Sequence, residues 1–502
     1  MKRPRMTPRF IALIASFHTA NRLSCQNGEQ HAGRPMMISA LRDTVNDRRF
    51  LVNLVRISIP IALQNLVVTS LNMIDTVMIG QLGETEIAAV ALSNQVFFLL
   101  MLFLFGVGSG TTVFTAQYWG VRDVKGIRAS MGIALLLGLS GATLFTCAAL
   151  VIPEVVLGFY TADAAVIELG RDYLQIVGVS YVATALTVVF SLVLRSTGNV
   201  RLPLYVSLVS LVVNTTLNLL LIFGLLGFPA LGVRGAAIAT TVARSLEVIV
   251  LLVLVYRGRE AAAGRIREFF GFNSAFLTRF LRIASPVVLN EIGWSLGMTM
   301  YMVVYARMGT DVVAAFNLAE TVARLSFVVF MGTASASAIM IGNTIGAGKR
   351  ADAERYARRI LVLVPLLGVL FGAGVIAVSR WIPLLFRVSP QVRLMLRQLL
   401  VVLGAILAVK ATNMHVIVGL LRSGGDTRFS LFVDVGILWL VGVPVAFVAG
   451  LILGLPVWLV YLLTGSEELF KAVLGVHRVV SGRWIHVLTG SEPHEPQVQE
   501  QE

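Results

Sequence analysis

One carboxylate interrupts a long apolar run near the start of the chain. Asp75 stands in LNMIDTVMIG, residues 71–80, among leucine, methionine, isoleucine and valine. A charged side chain at the centre of a bilayer costs about 2.5–3.5 kcal/mol on insertion scales, so such residues are rare and usually face a cavity or a partner. Desolvation favours the neutral acid, whereas neighbouring amides or a bound cation favour the carboxylate. Asp75 is therefore a candidate for exchanging a proton or a Na⁺ ion.

A second carboxylate begins a stripe of large side chains. Glu291, Trp294, Met298, Tyr301 and Tyr305 recur at spacings of three and four, which places them on one helix face. An anion beside several aromatic rings suits a flat hydrophobic cation through ion pairing and cation–π contact. The alternative is an ordinary packing seam that contains one structural glutamate.

Two more ionisable residues lie in apolar runs further along the chain. Asp434 in LFVDVGILWLVG follows a basic loop by six residues and could pair with Arg428, so we favour a structural role for it. Lys410 in ILAVKATNMH is an intramembrane cation that could be the partner of Asp434 or of Glu291. A local charge cluster is also expected near the end of the last helix, at Glu467, Glu468 and Lys471.

The composition identifies the environment that these residues share. The chain has 502 residues, of which 57% are hydrophobic and only 14% charged, whereas soluble chains have about 25% charged residues. Its apolar runs are long enough to cross the roughly 30 Å of bilayer hydrocarbon. The net charge of +14 does not indicate nucleic-acid binding, because the basic residues lie mostly in alternate loops. The sequence therefore predicts an all-α polytopic membrane protein.

Twelve helices are expected, centred near residues 66, 100, 139, 181, 214, 244, 293, 328, 367, 406, 440 and 466. Lys and Arg concentrate in the connections at 119–128, 195–202, 257–279, 346–359 and 422–429, so the positive-inside rule puts both termini in the cytoplasm. Residues 1–47 are predicted to be a disordered cytoplasmic extension, unless translation starts near Met36. Residues 486–502 are predicted to be a disordered tail.

An internal repeat relates the two halves of the chain. Residues of the same type recur at an offset of 226, as in Pro60 and Pro286, Gly106 and Gly332, and Ser109 and Ser335. The loops RSTGNVR at 195–201 and RSGGDTR at 422–428 also correspond. We therefore predict six-helix bundles at 48–257 and 280–485, joined by a cytoplasmic linker at 258–279, with a substrate site between them near mid-membrane. The repeat positions of Asp75 and Asn65 hold Tyr301 and Glu291, so the halves are not chemically equivalent.

The repeat and its motifs resemble the multidrug and toxic compound extrusion (MATE) family. The resemblance rests on IPIALQNLVVTSLNMIDTVMIGQLG, its partner SPVVLNEIGWSLGMTMYMVVYARMG, the RSTGN and RSGGD loops, and NTTLN followed by GVRGAAIAT. It runs from about residue 48 to about residue 485. It implies two bundles around a V-shaped cleft, and export of organic cations in exchange for H⁺ or Na⁺.

The resemblance also supplies neighbours for Asp75. Asn214 and Asn218 are four residues apart and share a helix face, and with Asp75 they resemble the family's amino-terminal cation site. The second position of this pair is often aspartate in the family. Its replacement by Asn218 weakens the case for Na⁺ and leaves Asp75 as the main titrating group of that half. Asn72 and Thr240 could complete the polar shell, or could only hydrogen-bond between helices.

We therefore expect a drug antiporter of the bacterial cytoplasmic membrane that acts as a monomer, with H⁺ favoured over Na⁺ and no other cofactor or metal. The closer alternative is a flippase of the same superfamily that moves lipid-linked sugars, for which an arginine-lined cleft is expected. A membrane enzyme is a remote alternative, since the sequence has no HExxH or nucleophile-elbow motif. An ATP-driven pump would need GxxxxGK[ST], and NTIGAGKR lacks its first glycine.

Overall fold

Long apolar helices form the protein because backbone polar groups in lipid must be satisfied within the segment that carries them. The computed structural model describes Thr44 and residues 47–489, so the predicted extension and most of the predicted tail lie outside the described residues. Among these residues, ten helices are long and apolar enough to cross a membrane, or eleven if one bent pair is a single span. The predicted all-α polytopic fold is confirmed.

We number the helices that cover the predicted spans from α1 to α12. The first half comprises α1 (Arg48–Ile79), α2 (Glu84–Gly120), α3 (Val124–Val151), α4 (Ala164–Gly178 and Ser180–Ser196, bent by 48°), α5 (Arg201–Phe223) and α6 (Gly232–Arg257). The second half comprises α7 (Ser274–Met308), α8 (Thr310–Gly346), α9 (Arg350–Val378), α10 (Pro390–Leu421), α11 (Thr427–Ile452) and α12 (Val457–Thr464 and Ser466–Val480). Short helices at Pro153–Gly158 and Ile266–Phe269 lie in the connections.

The repeat seen in the sequence recurs in the helix boundaries. The first residues of α7, α8, α9 and α10 stand at the same offset, 226, from the first residues of α1, α2, α3 and α4 respectively. The offset then grows, because π-helical turns occupy His415–Leu421 of α10 and Phe432–Gly436 and Leu438–Gly442 of α11. A π turn accommodates an extra residue within a helix. The offset is therefore 227 at the loop that follows α10, and 228 between Asn214 and Gly442 in α11.

Helix α12, like α4, consists of two parts, and its interruption is at Gly465. Its first part, Val457–Thr464, is apolar, whereas its second part begins with Ser466, Glu467 and Glu468 and carries Lys471 one turn later. The expected charge cluster at residues 467–471 therefore begins directly after the break.

Small residues bring the two halves into close contact. A Cβ atom on Gly106 of α2 would lie 2.9 Å from the Cα of Val288 on α7, and one on Gly332 of α8 would lie 2.8 Å from the Cβ of Ala62 on α1. Small residues at helix interfaces allow such close approach of the backbones. These contacts lie toward the end of the bundles that carries the basic loops, which we call the basic end. The halves therefore touch at that end.

The chain after α12 crosses from one half to the other at the basic end. The backbone N–H of His486 donates to the carbonyl of Gly424 (2.7 Å), and that of Leu488 donates to Oε1 of Gln117 on α2 (2.8 Å). Trp484 is fully buried. Residues 486–489, which the sequence assigned to a disordered tail, are instead held by these contacts because they pair with groups of both halves.

The linker between the halves is held against α3. Arg128 donates to the carbonyls of Ala261 (3.1 Å) and Ala263 (2.8 Å) and forms an ion pair with Glu268 (2.9 Å). The backbone N–H of Arg265 and the guanidinium of Arg128 both stabilise the carboxylate, which lowers the pKa of Glu268. The linker is thus fixed to the first half at the basic end.

Candidate functional site

Asp75 lies in a hydrogen-bonded network that joins three helices of the first half. The amide Nδ2 of Asn218 donates to Oδ1 of Asp75 and also to Oδ1 of Asn214 (3.1 Å). The amide of Asn214 donates in turn to the hydroxyl of Thr240 (3.3 Å). The structure therefore brings Asp75, Asn214, Asn218 and Thr240 together, on α1, α5 and α6.

The local sequence explains why these groups meet. Asn214 and Asn218 are one turn apart, so both face inward from α5, and they are 1% and 0% exposed. The amide of Asn218 uses its two hydrogens on Asp75 and Asn214, while its own Oδ1 has no hydrogen-bond partner. Buried polar atoms normally have a partner. An unpaired acceptor beside a carboxylate leaves a place for one more hydrogen or a cation.

Asn72 does not belong to this network. It is exposed, and its backbone carbonyl accepts a hydrogen bond from the hydroxyl of Thr76 (2.8 Å). Asn72 and Asp75 are three residues apart on α1, and the side chain of Asp75 turns toward α5 while that of Asn72 remains on the surface. The suggestion that Asn72 completes the polar shell is therefore wrong for this conformation.

Sequence reasoning missed a cation beside Asp75. Arg244 on α6 follows Thr240 by one helical turn, lies within electrostatic reach of Asp75 and stacks over the ring of Phe97 at 3.8 Å. Its Nη1 also donates to the hydroxyl of Ser180 (3.4 Å). The signal was available, because Arg244 and Glu247 interrupt the apolar run of α6 and intramembrane charges are uncommon.

The acids of the second half have other partners than those expected. Glu291 forms an ion pair with Arg422 (2.8 Å), and Asp434 forms one with Lys471 (3.1 Å). Neither acid pairs with Lys410, and Asp434 does not pair with Arg428, so these suggested pairings are corrected. The reason is that the end of α10 places Arg422 against α7, and α12 places Lys471 against α11. Residue spacing along one helix does not show these contacts between helices.

Lys410 instead faces the ring of Tyr461 on α12, with its Nζ 5.7 Å from the ring centroid. The amide of the nearby Asn413 donates to Oε2 of Glu468 (2.7 Å). Lys410 therefore belongs to the polar interior of the second bundle, between α10 and α12.

The stripe on α7 does not form one continuous surface. Trp294 is 40% exposed, whereas Tyr301 and Tyr305 are 6% and 1% exposed and belong to the core of the second half. Met298 packs against the same core. In this conformation only Glu291 and Trp294 lie outside the packed core. The rest of the stripe, Met298, Tyr301 and Tyr305, is a packing seam, as the alternative interpretation predicts.

A small cavity of about 60 Å³ lies between the halves. Its lining includes Arg195 from α4 and Arg422, which directly follows α10, together with Ser109 and Ser335 from α2 and α8. The two arginines are the first residues of the two corresponding loops. Nη2 of Arg195 donates to Oε1 of Gln64 (2.6 Å), whereas Arg422 is paired with Glu291. The cavity is therefore lined by equivalent residues of both halves, and its surface is mostly apolar, with the two arginines among its polar groups.

No metal-binding cluster accompanies these sites: within Thr44 and residues 47–489, no group of three or more His, Cys, Asp or Glu side chains could hold a metal ion.

Comparison with known proteins connects this geometry to a family. The family model MatE matches residues 60–220 and 286–448, once in each half. The chain is 23% identical over 441 residues to the "Probable multidrug resistance protein NorM" of Thermotoga maritima, and the match covers 86% of this chain and 92% of the relative. It is 25% identical over 414 residues to the "Multidrug resistance protein PmpM" of Pseudomonas aeruginosa, covering 80% and 85%.

The fold is also similar to solved structures. One, described as the outward-facing conformation of a multidrug resistance MATE family transporter of the MOP superfamily, has a TM-score of 0.78 and 21% sequence identity. The likeness covers 86% of this chain and 96% of that chain. Because it extends over nearly the whole of the solved chain, the two share one fold.

Proposed function

Because the chain belongs to the MATE family, we propose that it exports organic cations in exchange for protons, with Asp75 carrying the exchanged proton. As a member of this family it is a multi-pass membrane transporter and not an enzyme. The relatives named as multidrug resistance proteins support a drug efflux transporter. The coupling ion, the direction of exchange and the role of each residue are our proposals.

The observation that carries the proposal is the buried network around Asp75. Asp75 as a carboxylate accepts from Nδ2 of Asn218. As a protonated acid it gains an O–H donor, and the Oδ1 of Asn218 is a buried acceptor without a partner. The network therefore has two hydrogen-bonding arrangements, one for each protonation state of Asp75.

These two arrangements provide a way to couple a proton to movement. The network joins α1 to α5 and α6, so a change in its hydrogen bonds alters how these helices pack. A ligand shifts such an equilibrium only as far as it binds the two states differently. In our proposal the proton favours one arrangement and the organic cation favours the other, so that each is released when the other binds.

The proposed orientation follows from the basic loops. The basic end faces the cytoplasm under the positive-inside rule, so the halves touch on the cytoplasmic side and the protein would be open outward in this conformation. We propose that the protein resides in the bacterial cytoplasmic membrane, with both termini inside, and acts as a monomer.

Imposed ion gradients test the proposal. Purified protein in liposomes loaded with ethidium should move ethidium when a pH gradient is imposed, and should respond little to a Na⁺ gradient at equal pH. A response to Na⁺ alone would replace the proton by Na⁺ as the coupling ion. No response to either gradient, from protein shown to bind ethidium, would refute antiport.

One observation favours a second candidate, the flippase of lipid-linked sugars. Arg195 and Arg422 line the cavity between the halves, and arginine binds phosphate groups well. Glu291 offsets one of these two charges, which is why we place the drug antiporter first. Movement of a lipid-linked sugar pyrophosphate across liposomes without ethidium transport would reverse this order.

A further inference from the structure

The two halves place equivalent hydrogen bonds at equivalent positions. In the first half, Nε2 of Gln64 on α1 donates to the hydroxyl of Ser207 on α5 (3.2 Å). In the second half, Nδ2 of Asn290 on α7 donates to Oδ2 of Asp434 on α11 (2.8 Å). Asn290 stands at the repeat offset of 226 from Gln64, and Asp434 stands at an offset of 227 from Ser207. The repeat therefore holds for individual side-chain contacts.

The same correspondence locates a counterpart of the Asp75 network. Tyr301 stands at the offset of 226 from Asp75. Glu467 on α12 lies beside Tyr301, since a Cβ atom on Gly442 would collide with both side chains. The carboxylate at this position thus stands on the first helix in one half and on the last helix in the other.

A cation also lies near the carboxylate in both halves. Arg244 on α6 lies within electrostatic reach of Asp75, and Nζ of Lys471 on α12 lies 3.7 Å from Oε1 of Glu467. Each half therefore brings a carboxylate close to a basic side chain of its last helix, although the carboxylate stands on different helices in the two halves.

Gly442 leaves space for the side chains of Tyr301 and Glu467. Because of the π turns in α11, the offset from Asn214 to Gly442 grows to 228, and Gly442 takes the buried place of that asparagine. A Cβ atom on Gly442 would collide with the hydroxyl of Tyr301 and with Oε2 of Glu467. Two large polar side chains therefore converge on the space that the amide of an asparagine occupies in the first half.

The polar atoms at this point have only each other. The hydroxyl oxygen of Tyr301 and Oε2 of Glu467 are both buried and face each other, and each residue is 6% exposed. A buried polar group that loses its partner is costly to the folded state. The second half thus carries a buried carboxylate oxygen against the hydroxyl that stands at the repeat position of Asp75.

The surrounding charges do not balance. Lys471 lies between two carboxylates, those of Asp434 and Glu467. The other charged groups that face Glu467 are Glu468 on its own helix and Lys410 on α10. Glu320 on α8 also faces Lys410 and pairs with Arg324. With this pair included, four carboxylates and three basic groups leave one negative charge uncompensated among the described residues of the cluster. A buried, uncompensated charge is strongly unfavourable, so the cluster is one proton or one monovalent cation short of neutrality.

We propose that Glu467 is a second exchange site for the coupling proton, the counterpart in the second half of Asp75. This inference rests on the proposed function, because it makes Glu467 a second residue that carries the coupling proton during export. The transporter would release one proton from each half when the organic cation binds. Tyr301 acts as a positioning residue, since its hydroxyl can donate to either oxygen of the carboxylate but only to the single oxygen of an amide that replaces it.

Counting protons tests the site directly. Ethidium is added at saturation to purified protein in weakly buffered solution, and an indicator dye reports the protons released. We expect about two protons per bound ethidium for the unaltered protein and about one for Glu467→Gln, because the amide carries no exchangeable proton. Glu354→Gln on α9 is the matched control: its carboxylate pairs with Arg350 on the same helix at the basic end, and we expect about two protons.

The outcomes separate this inference from the proposed function. Release of one proton that Asp75→Asn abolishes and Glu467→Gln leaves unchanged would overturn the second site alone. Release of none, with no transport under a pH gradient, would overturn the proposed function. Loss of ethidium binding in a well-folded Glu467→Gln protein would also overturn the second site, because it would make Glu467 a substrate ligand.

A measurement on the unaltered protein covers the case in which Glu467→Gln does not fold. A hydrophobic carbodiimide modifies protonated carboxyl groups within membranes, and mass spectrometry identifies the modified residue. We expect modification of Glu467 that decreases as the pH rises and decreases when ethidium binds. Absence of modification at Glu467 under conditions that modify Asp75 would overturn the inference.

Discussion

The contact between α2 and α7 predicts how a single methyl group should alter the balance between conformations. A Cβ atom on Gly110 would lie 2.7 Å from the Cβ and 2.9 Å from the Cα of Ala284. Carbon atoms normally rest about 3.5–4.0 Å apart, so Gly110→Ala requires the halves to separate at the basic end by roughly 1 Å. In an alternating transporter this contact exists only while the basic end is closed, so the added methyl penalises that state alone.

The size of the effect follows from the cost of overpacking. Additional methylenes in a packed interface cost about 1–3 kcal/mol, which corresponds to a shift in the conformational equilibrium of about 5–150-fold. The assay is the rate of maleimide labelling at Ser335→Cys, in a protein whose native cysteines are replaced. Ser335 lines the cavity between the halves, so opening of the basic end should expose it. We expect labelling from the basic side to accelerate by a factor in that range.

A matched substitution controls for effects of the added methyl elsewhere. Gly374 lies on α9, where a Cβ atom would meet nothing within 4 Å, so Gly374→Ala should leave the labelling rate unchanged. Equal rates for Gly110→Ala and Gly374→Ala, in proteins of equal thermal stability, would refute the reasoning that the Gly110 contact holds the basic end closed.

Three further predictions concern other parts of the molecule. Asp75→Asn should abolish ethidium transport driven by a pH gradient while the protein still inserts and binds ethidium, and normal transport by this variant would remove Asp75 from the mechanism. Trp484→Ala should cost about 3–5 kcal/mol locally, because Trp484 is fully buried, and faster amide exchange at residues 481–489 should report it; unchanged exchange would contradict the bridging contacts of this segment. Asp47 caps α1 by accepting from the N–H of Phe50 (3.0 Å), which with the ion pair to Arg359 lowers the pKa of Asp47. Its stabilising effect is therefore present at neutral pH and lost only as the pH falls below the ordinary aspartate range. Asp47→Ala should accordingly reduce thermal stability more at neutral pH than in strong acid, and an equal reduction at both would contradict the role of the charge.

The replacement of the second family aspartate by Asn218 has a structural consequence. An amide offers two donors and an acceptor, whereas a carboxylate offers only acceptors. Asn218 uses its donors to hold both Asp75 and Asn214. The network is thus organised around a single carboxylate, which is why we favour the proton over Na⁺ in this half.

Much of the architecture could be predicted because its signals are local. Hydropathy locates the membrane spans, since bilayer thickness fixes the length of an apolar helix. The offset of 226 is present in the matched prolines and glycines of the sequence alone. Hydropathy does not predict the break in α12. Its second part carries charges that lower its hydropathy, and the neighbours that neutralise them are distant in sequence.

The first-half network was predictable in part. Asn214 and Asn218 share a face by spacing alone, and the family resemblance joined them to Asp75. Asn72 lies close to Asp75 along α1, but the helix turns it to the surface. The sequence signal for Arg244 is its charge within the apolar run of α6.

The sequence by itself determined the helical class, the repeat and the single carboxylate of the first half's network, because hydrophobic periodicity and residue spacing act within one helix. Only the tertiary structure decided that Glu291 pairs with Arg422, that Asp434 pairs with Lys471, and that Glu467 and Tyr301 converge on Gly442. These contacts join helices that are distant in sequence. Their geometry depends on helix rotation and on the extra residues in the π turns of α11, and neither is encoded in the spacing of residues along one helix.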